Sequence, residues 1–260
     1  MNIPRKFLPA IGACLLAMTT FLPAQYRVFK NSAATGNLIE LYSSEGCSSC
    51  PPAEAWLNHL QNAPGLWKDI FPVAFHVDYW DGLGWPDRFA RPEYTQRQRD
   101  YAARLNQESV YTPEFVVNGR EWHRGWLGGG TLPPETAAKT GELALIVHAD
   151  GRFSASYRSA ASPAQALILN IALLGLNVST DVKRGENSGE KLKHDFVVLG
   201  FSSSPMQARN DKSFQADPGP VKSSTSDAPG AVVAWVSDPD GTVLQVTGGW
   251  LMPPGAEASR

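Results

Sequence analysis

The chain has 260 residues, and 23 Lys and Arg against 25 Asp and Glu give a formal net charge of −2. That balance, with no long basic run, excludes a chain built to hold nucleic acid through its phosphates. A hydrophobic fraction of 43% is ordinary for a globular protein, and the length suits one large domain or two small ones.

The N-terminus reads as a bacterial export signal over residues 1–24. Arg5 and Lys6 form a basic start, an apolar run follows from Phe7 to Leu22, and Ala24 supplies a small residue for cleavage. The run is shorter than the roughly 20 residues that span a bilayer. Ile11-Gly12-Ala13-Cys14 loosely resembles a lipoprotein box, but apolar residues continue past Cys14, so cleavage after Ala24 is the preferred reading. The mature chain is then periplasmic or secreted and keeps only Cys47 and Cys50, which in an oxidising compartment have only each other as partners.

Leu38 to Tyr42 reads as a strand, and SSEGCSSCPP follows it at 43–52. Residues 51–60 form a helix, with prolines where a first turn accepts them. Phe71 to Val77 is a second strand, apolar almost throughout, as a buried parallel strand should be. An aromatic loop over 78–92 leads to a polar helix over 93–106, then to a strand at 114–117. Asn118-Gly119 predicts a hairpin return through 121–123. The first half, 36–135, therefore reads as an α/β domain containing a βαβ unit. A boundary is expected near Gly128–Gly130 and Pro133-Pro134. Residues 141–252 change character: strands at 143–147 and 153–157 flank Asp150-Gly151, two more lie at 165–174 and 191–200, and strands at 231–236 and 242–246 flank Asp240-Gly241. This half reads as a small antiparallel β-sandwich, with residues 202–230, rich in Ser, Pro and Asp, as a mobile insertion.

The spacing of Cys47 and Cys50 allows a metal half-site, a structural staple or a redox centre. Structural zinc commonly uses two such pairs, or one pair with two closely spaced histidines; His59, His76, His123, His148 and His194 supply no such spacing. A bridge across two residues closes too small a loop to stabilise much. Between a strand and a helix N-terminus, Cys47 is expected to be exposed, with a lowered pKa from the helix dipole, and to act as nucleophile; Cys50 is the resolving thiol.

These features resemble the thioredoxin superfamily. More narrowly, ELYSSEGCSSCPPAE (40–54), FHVDYWDGLGWPDRFARPEYTQRQRDYA (75–102), VYTPEFVVNGR (110–120), RGENSGEKLKHDFVV (184–198) and VAWVSDPDGTVLQ (233–245) are similar to the secreted bacterial proteins grouped as domain of unknown function 1223. The resemblance implies an α/β thioredoxin-like domain followed by the small antiparallel β-sandwich domain. It also implies a cis Thr112-Pro113 bond beside the thiols, where Thr112 and Pro113 position a substrate chain. Glu45-Gly46 stands where thioredoxins carry Trp before the pair, and Glu45 is a local charge that opposes thiolate formation.

Several other residues are candidates. Trp80 and Trp85 are expected to wall a cleft over the cysteines and grip substrate. His76 and Asp78 alternate to one face of a strand end. They read either as a core histidine and a loop cap, or as a proton relay beside the thiols. Glu186, Asn187, His194 and Asp195 carry the further reading of a contact facing the thiol site, and Arg97 and Arg99 are expected on a solvated helix face. The sequence leads to the expectation of an exported thiol–disulfide oxidoreductase acting on a thiol- or disulfide-containing protein substrate, with a membrane electron donor or acceptor and no cofactor. The alternatives are a non-catalytic binding scaffold, and a copper or zinc metallochaperone using Cys47, Cys50 and His76.

Overall fold

The computed structural model describes residues 26–31, 34–123, 132–134, 138, 140–161, 166–210 and 212–251. The export segment with Cys14, and the glycines at 128–130, lie outside the described residues. Among the described residues, no helix is long and apolar enough to cross a membrane.

The elements in order are β1 Arg27–Asn31, β2 Asn37–Ser43, α1 Pro51–His59, β3 Ile70–His76, α2 Pro92–Leu105, β4 Glu114–Val117, β5 Arg120–Glu121, β6 Gly141–Val147, β7 Arg152–Ser159 and β8 Ile168–Gly175. There follow β9 Val178–Asp181, β10 Lys191–His194, β11 Val197–Pro205, β12 Gln207–Ala208, β13 Ser213–Pro220, β14 Ala231–Ser237 and β15 Val243–Trp250. Among the described residues, two α-helices against fifteen strands make a predominantly β structure.

This corrects the expected fold class. An α/β thioredoxin-like domain followed by a small separate sandwich is not what the chain builds. One eight-stranded mixed sheet, in the order β15-β14-β8-β11-β3-β2-β4-β5, takes strands from both halves of the chain. The joint is β3. All seven of its residues are buried, and it pairs in parallel with β2 on one side and with β11 on the other. The β11 contact is short, with Val197 opposite Ala74 and the Ala74 N–H donating to the Phe196 carbonyl at 2.8 Å. A strand buried on both faces and both edges needs a continuous apolar run, which 70–76 supplies.

The helices follow from local sequence. Pro51 and Pro52 occupy the first turn of α1, where a missing N–H costs nothing, and Ala53 and Leu57 bury its inner face. In α2, Tyr94 and Tyr101 turn inward, and Phe75 of β3 meets the Tyr94 ring at 5.1 Å. Asn118 and Gly119 have φ of 49° and 81°, as the tight β4–β5 turn requires. A side chain on Gly119 would also meet the Gly241 carbonyl at 2.6 Å.

A second sheet, β1-β6-β7-β13-β12, packs over the antiparallel half of the first. Its inward residues Leu143, Leu145, Phe153 and Tyr157 form one core with Leu169, Ile171, Val232 and Ala234. Residues 202–230 are therefore not featureless: β13 pairs with β7, Phe214 opposite Tyr157. The expected strand over 191–200 is broken at Phe196, whose φ of 62° redirects the chain while its buried ring packs on Trp67.

Arg97 is not on a solvated face. Its guanidinium lies 5.2 Å from the Trp235 ring centroid and 5.5 Å from those of Phe75 and Phe201. Its Nε donates at 2.8 Å to fully buried Glu40, which also accepts from the Tyr101 hydroxyl at 2.6 Å. Removing one member of a buried pair strands the other charge. Glu40→Ala is therefore expected to cost about 3–5 kcal/mol in urea unfolding. Combining Glu40→Leu with Arg97→Met should recover most of that loss.

Candidate functional site

The turn between β2 and α1 carries both cysteines. The Cys47 N–H donates to Ser44 O at 3.1 Å, the Cys50 N–H to Cys47 O at 3.2 Å, and Cys50 caps α1 by accepting from the Ala53 and Glu54 N–H groups. Cys47 and Cys50 are two free thiols, which corrects the expectation of a disulfide-paired redox motif. Cys47 is also not the exposed residue of the turn: both cysteines are 0% exposed, whereas Ser48 and Ser49 face solvent.

The Cys47 sulfur lies 3.2 Å from Ser49 Oγ and 3.8 Å from the Thr112 carbonyl. The Thr112-Pro113 bond is cis, and the Thr112 hydroxyl accepts from Trp80 Nε1 at 2.8 Å. The hydrogen bond from Cys50, aided by Ser49 and Thr112, outweighs burial and holds the Cys47 thiol down to about 6, from an ordinary 9.0. Burial, and then the Cys47 sulfur, push Cys50 well up.

What clasps the thiol turn comes from far along the chain. The Asn187 side-chain amide donates to Glu45 O at 2.9 Å and to Cys47 O at 3.0 Å, and the Ser48 N–H donates to Glu186 Oε2 at 3.1 Å. Gly185, at φ 76°, lies against Trp85, where a Cβ would come within 3.2 Å of the indole's own Cβ. Asp195 turns elsewhere, accepting from the Asn177 N–H at 2.7 Å.

Behind the turn is a buried cluster of five ionisable side chains. His194, ending β10, sits between two carboxylates: Nδ1 at 2.5 Å from Glu54 Oε2 and Nε2 at 3.1 Å from Glu45 Oε1. Glu45 also accepts from Trp85 Nε1 at 2.8 Å, so Trp85 serves this cluster. His76 places Nδ1 2.6 Å from Asp87 Oδ2, and Asp87 further accepts the Glu45 and Phe89 N–H groups at 2.8 and 2.9 Å. The Ser43 hydroxyl donates to Glu54 Oε1. Asp78 lies apart, accepting from the Thr95 hydroxyl at 2.6 Å, so the partner of His76 is Asp87 and not Asp78.

Burial raises Glu54 and Asp87, but His194 and His76 outweigh it, and both carboxyls end below their ordinary values. Burial lowers the two imidazoles, but their carboxylates reverse the effect: Asp87 leads in raising His76, and Glu54 leads in holding His194 up to about 10. Glu45 is thus paired with an imidazole.

The metallochaperone set of Cys47, Cys50 and His76 is not assembled. Donor atoms of His76 gather with those of Glu54 and His194, all within 4.8 Å of one another, and neither sulfur joins them. Sequence reading missed Glu54, Asp87 and Ser43. Glu54 resembles any acidic residue in a helix first turn, and Asp87 any loop carboxylate; no local pattern pairs either with a histidine.

The stability of the metal-free protein should depend on pH through this cluster. The imidazole contribution is complete below an ordinary 6.5 and is lost as pH rises toward the His194 value of about 10. The carboxylate contribution is complete above an ordinary 4.5 and is lost as pH falls below it. With chelator present, Tm is expected to peak between those ordinary values. His194→Gln should flatten the alkaline decline, as thermal unfolding across pH would show.

Comparisons with known proteins follow this geometry. A search of the curated proteins finds no match. Among solved structures, a structural-genomics protein of Agrobacterium tumefaciens is 20% identical with a TM-score of 0.53, over 87% of this chain and 98% of its own. HBP35 of Porphyromonas gingivalis is 16% identical with a TM-score of 0.57, over 88% of this chain and 80% of its own. These are likenesses of fold alone. The family model described as protein of unknown function (DUF1223) matches residues 38–237. The chain is a member of the DUF1223 family.

Proposed function

We propose that the protein is an exported thiol–disulfide oxidoreductase in which Cys47 is the attacking thiol and Cys50 the resolving one. The arrangement that carries this reading is the Cys47 sulfur set 3.2 Å from Ser49 Oγ and 3.8 Å from the Thr112 carbonyl, beside Cys50, which holds Cys47 down to about 6 while Cys50 is pushed up. A thiol near 6 is about 90% thiolate at neutral pH, whereas an ordinary one is a few per cent. The Cys47 thiolate attacks one sulfur of a substrate disulfide, the S–S bond breaks, and the other half leaves as a thiolate. Cys50 then gives up its proton and attacks the Cys47 sulfur. The second substrate thiolate leaves, and a Cys47–Cys50 disulfide remains, with two electrons passed to substrate. An external dithiol, soluble or membrane-held, restores the pair, and the same steps in reverse oxidise a dithiol substrate. Thr112 and Pro113 border the attacking sulfur and suit a substrate backbone.

Two measurements test this. Cys47 alkylation by iodoacetamide should reach half its maximal rate near pH 6, and exchange with an aryl disulfide should vanish in Cys47→Ser; turnover equal to that control would sink the reading. Because Asn187 and Glu186 hold the turn over a buried sulfur, Asn187→Ala is expected to speed alkylation severalfold at fixed pH. A slower or unchanged rate would show that these contacts do not limit access.

A further inference from the structure

The cluster behind the thiols contains one feature its hydrogen bonds do not explain. His76 is fully buried, its Nδ1 is committed to Asp87, and its Nε2 has no hydrogen-bond partner. That nitrogen faces Glu54, with Oε1 at 3.7 Å, and Glu54 in turn touches His194 Nδ1. A buried ring nitrogen left without a partner is costly, so a ligand is the natural partner.

We propose that His76 Nε2, His194 Nδ1 and a Glu54 carboxylate oxygen form a binding site for a divalent transition-metal ion, Zn2+ being the best fit. Three arguments carry it. The first is the donor set: two imidazoles and one carboxylate suit zinc and its neighbours, the absence of thiolate disfavours Cu(I), and the imidazoles disfavour Ca2+ and Mg2+. The second is support around the donors. Each imidazole presents its other nitrogen to a carboxylate, His76 to Asp87 and His194 to Glu45, and Ser43 holds Glu54. Such outer carboxylates fix ring orientation and raise ligand basicity. The third is charge and access. Three carboxylates surround two imidazoles, so the cluster stays net negative even with both rings protonated. Glu54 also lines a cavity of about 540 Å3 with Pro51, Asn58, Leu192 and Asp195, which brings open space to the edge of the cluster. Zinc bonds of about 2.0–2.2 Å set tetrahedral donors roughly 3.4 Å apart. Glu54 Oε1 already stands near that spacing from His76 Nε2, at 3.7 Å, whereas Glu54 Oε2, 2.5 Å from His194 Nδ1, must move away by about an ångström.

The site is independent of the thiol chemistry, and its test removes the sulfurs. The Cys47→Ser, Cys50→Ser protein is titrated with Zn2+ by calorimetry and with Co2+ by visible absorption. One ion per chain is expected, and zinc X-ray absorption should show two imidazoles with oxygen and no sulfur. His76→Gln in this background should abolish binding, and Asp87→Asn should weaken it about 10–100-fold without removing a ligand. No saturable binding, an absorption spectrum without imidazole, or affinity unchanged in Asp87→Asn would each overturn the site. Should His76→Gln fail to fold, the absorption spectrum and Asp87→Asn still decide the matter.

Discussion

His194 is held between Glu54 and Glu45, and much of the molecule is arranged around that contact. One carboxylate precedes the thiol turn and the other stands in the helix that follows it, so a single imidazole spans the turn from behind. The imidazole belongs to β10, which the mixed sheet's parallel joint and the Phe196 bend place beside α1. A buried carboxylate is tolerated where a partner answers it. Here Glu45 is answered by His194 and Trp85, Glu54 by His194 and Ser43, and Asp87 by His76 and two backbone N–H groups. The reactive turn thereby rests on a rigid polar floor, while its own cysteines take part in none of those hydrogen bonds.

The sheet explains how two distant stretches come to share one site. β3 offers a second edge, and the apolar strand beginning at Val197 takes it, which carries β10 to the rim where β2 ends. On the opposite side of β3, β2 delivers Ser43 and the turn. Strands entering a sheet from both sides at one rim build a floor that neither half contains alone.

Local patterns were legible where local physics decides. Pro51-Pro52 marked a helix start, Asn118-Gly119 a hairpin and Phe71 to Val77 a buried strand, and each lies within a residue or two of its predicted place. The fold class was not legible. Period and turn residues say that 231–237 is a strand, but not that it extends the same sheet as 37–43, because parallel pairing across more than a hundred residues leaves no local trace. The same blindness hid the partners of His76. Alternation along the strand favoured Asp78, whereas loop geometry brought in Asp87. Arg97 was misjudged for a related reason: helical spacing identified its polar company in α2, but not Trp235 waiting across the sheet.

The amide of Asn187 grips carbonyls that precede it by about 140 residues. A growing chain emerges N-terminal end first, so the thiol turn is made long before its cover. Until residues 178–194 arrive, the turn has neither the Asn187 clasp nor the His194 support. Folding order therefore sets the history of these cysteines. They pass from a nascent turn to a mature one clasped by a segment made more than a hundred residues later.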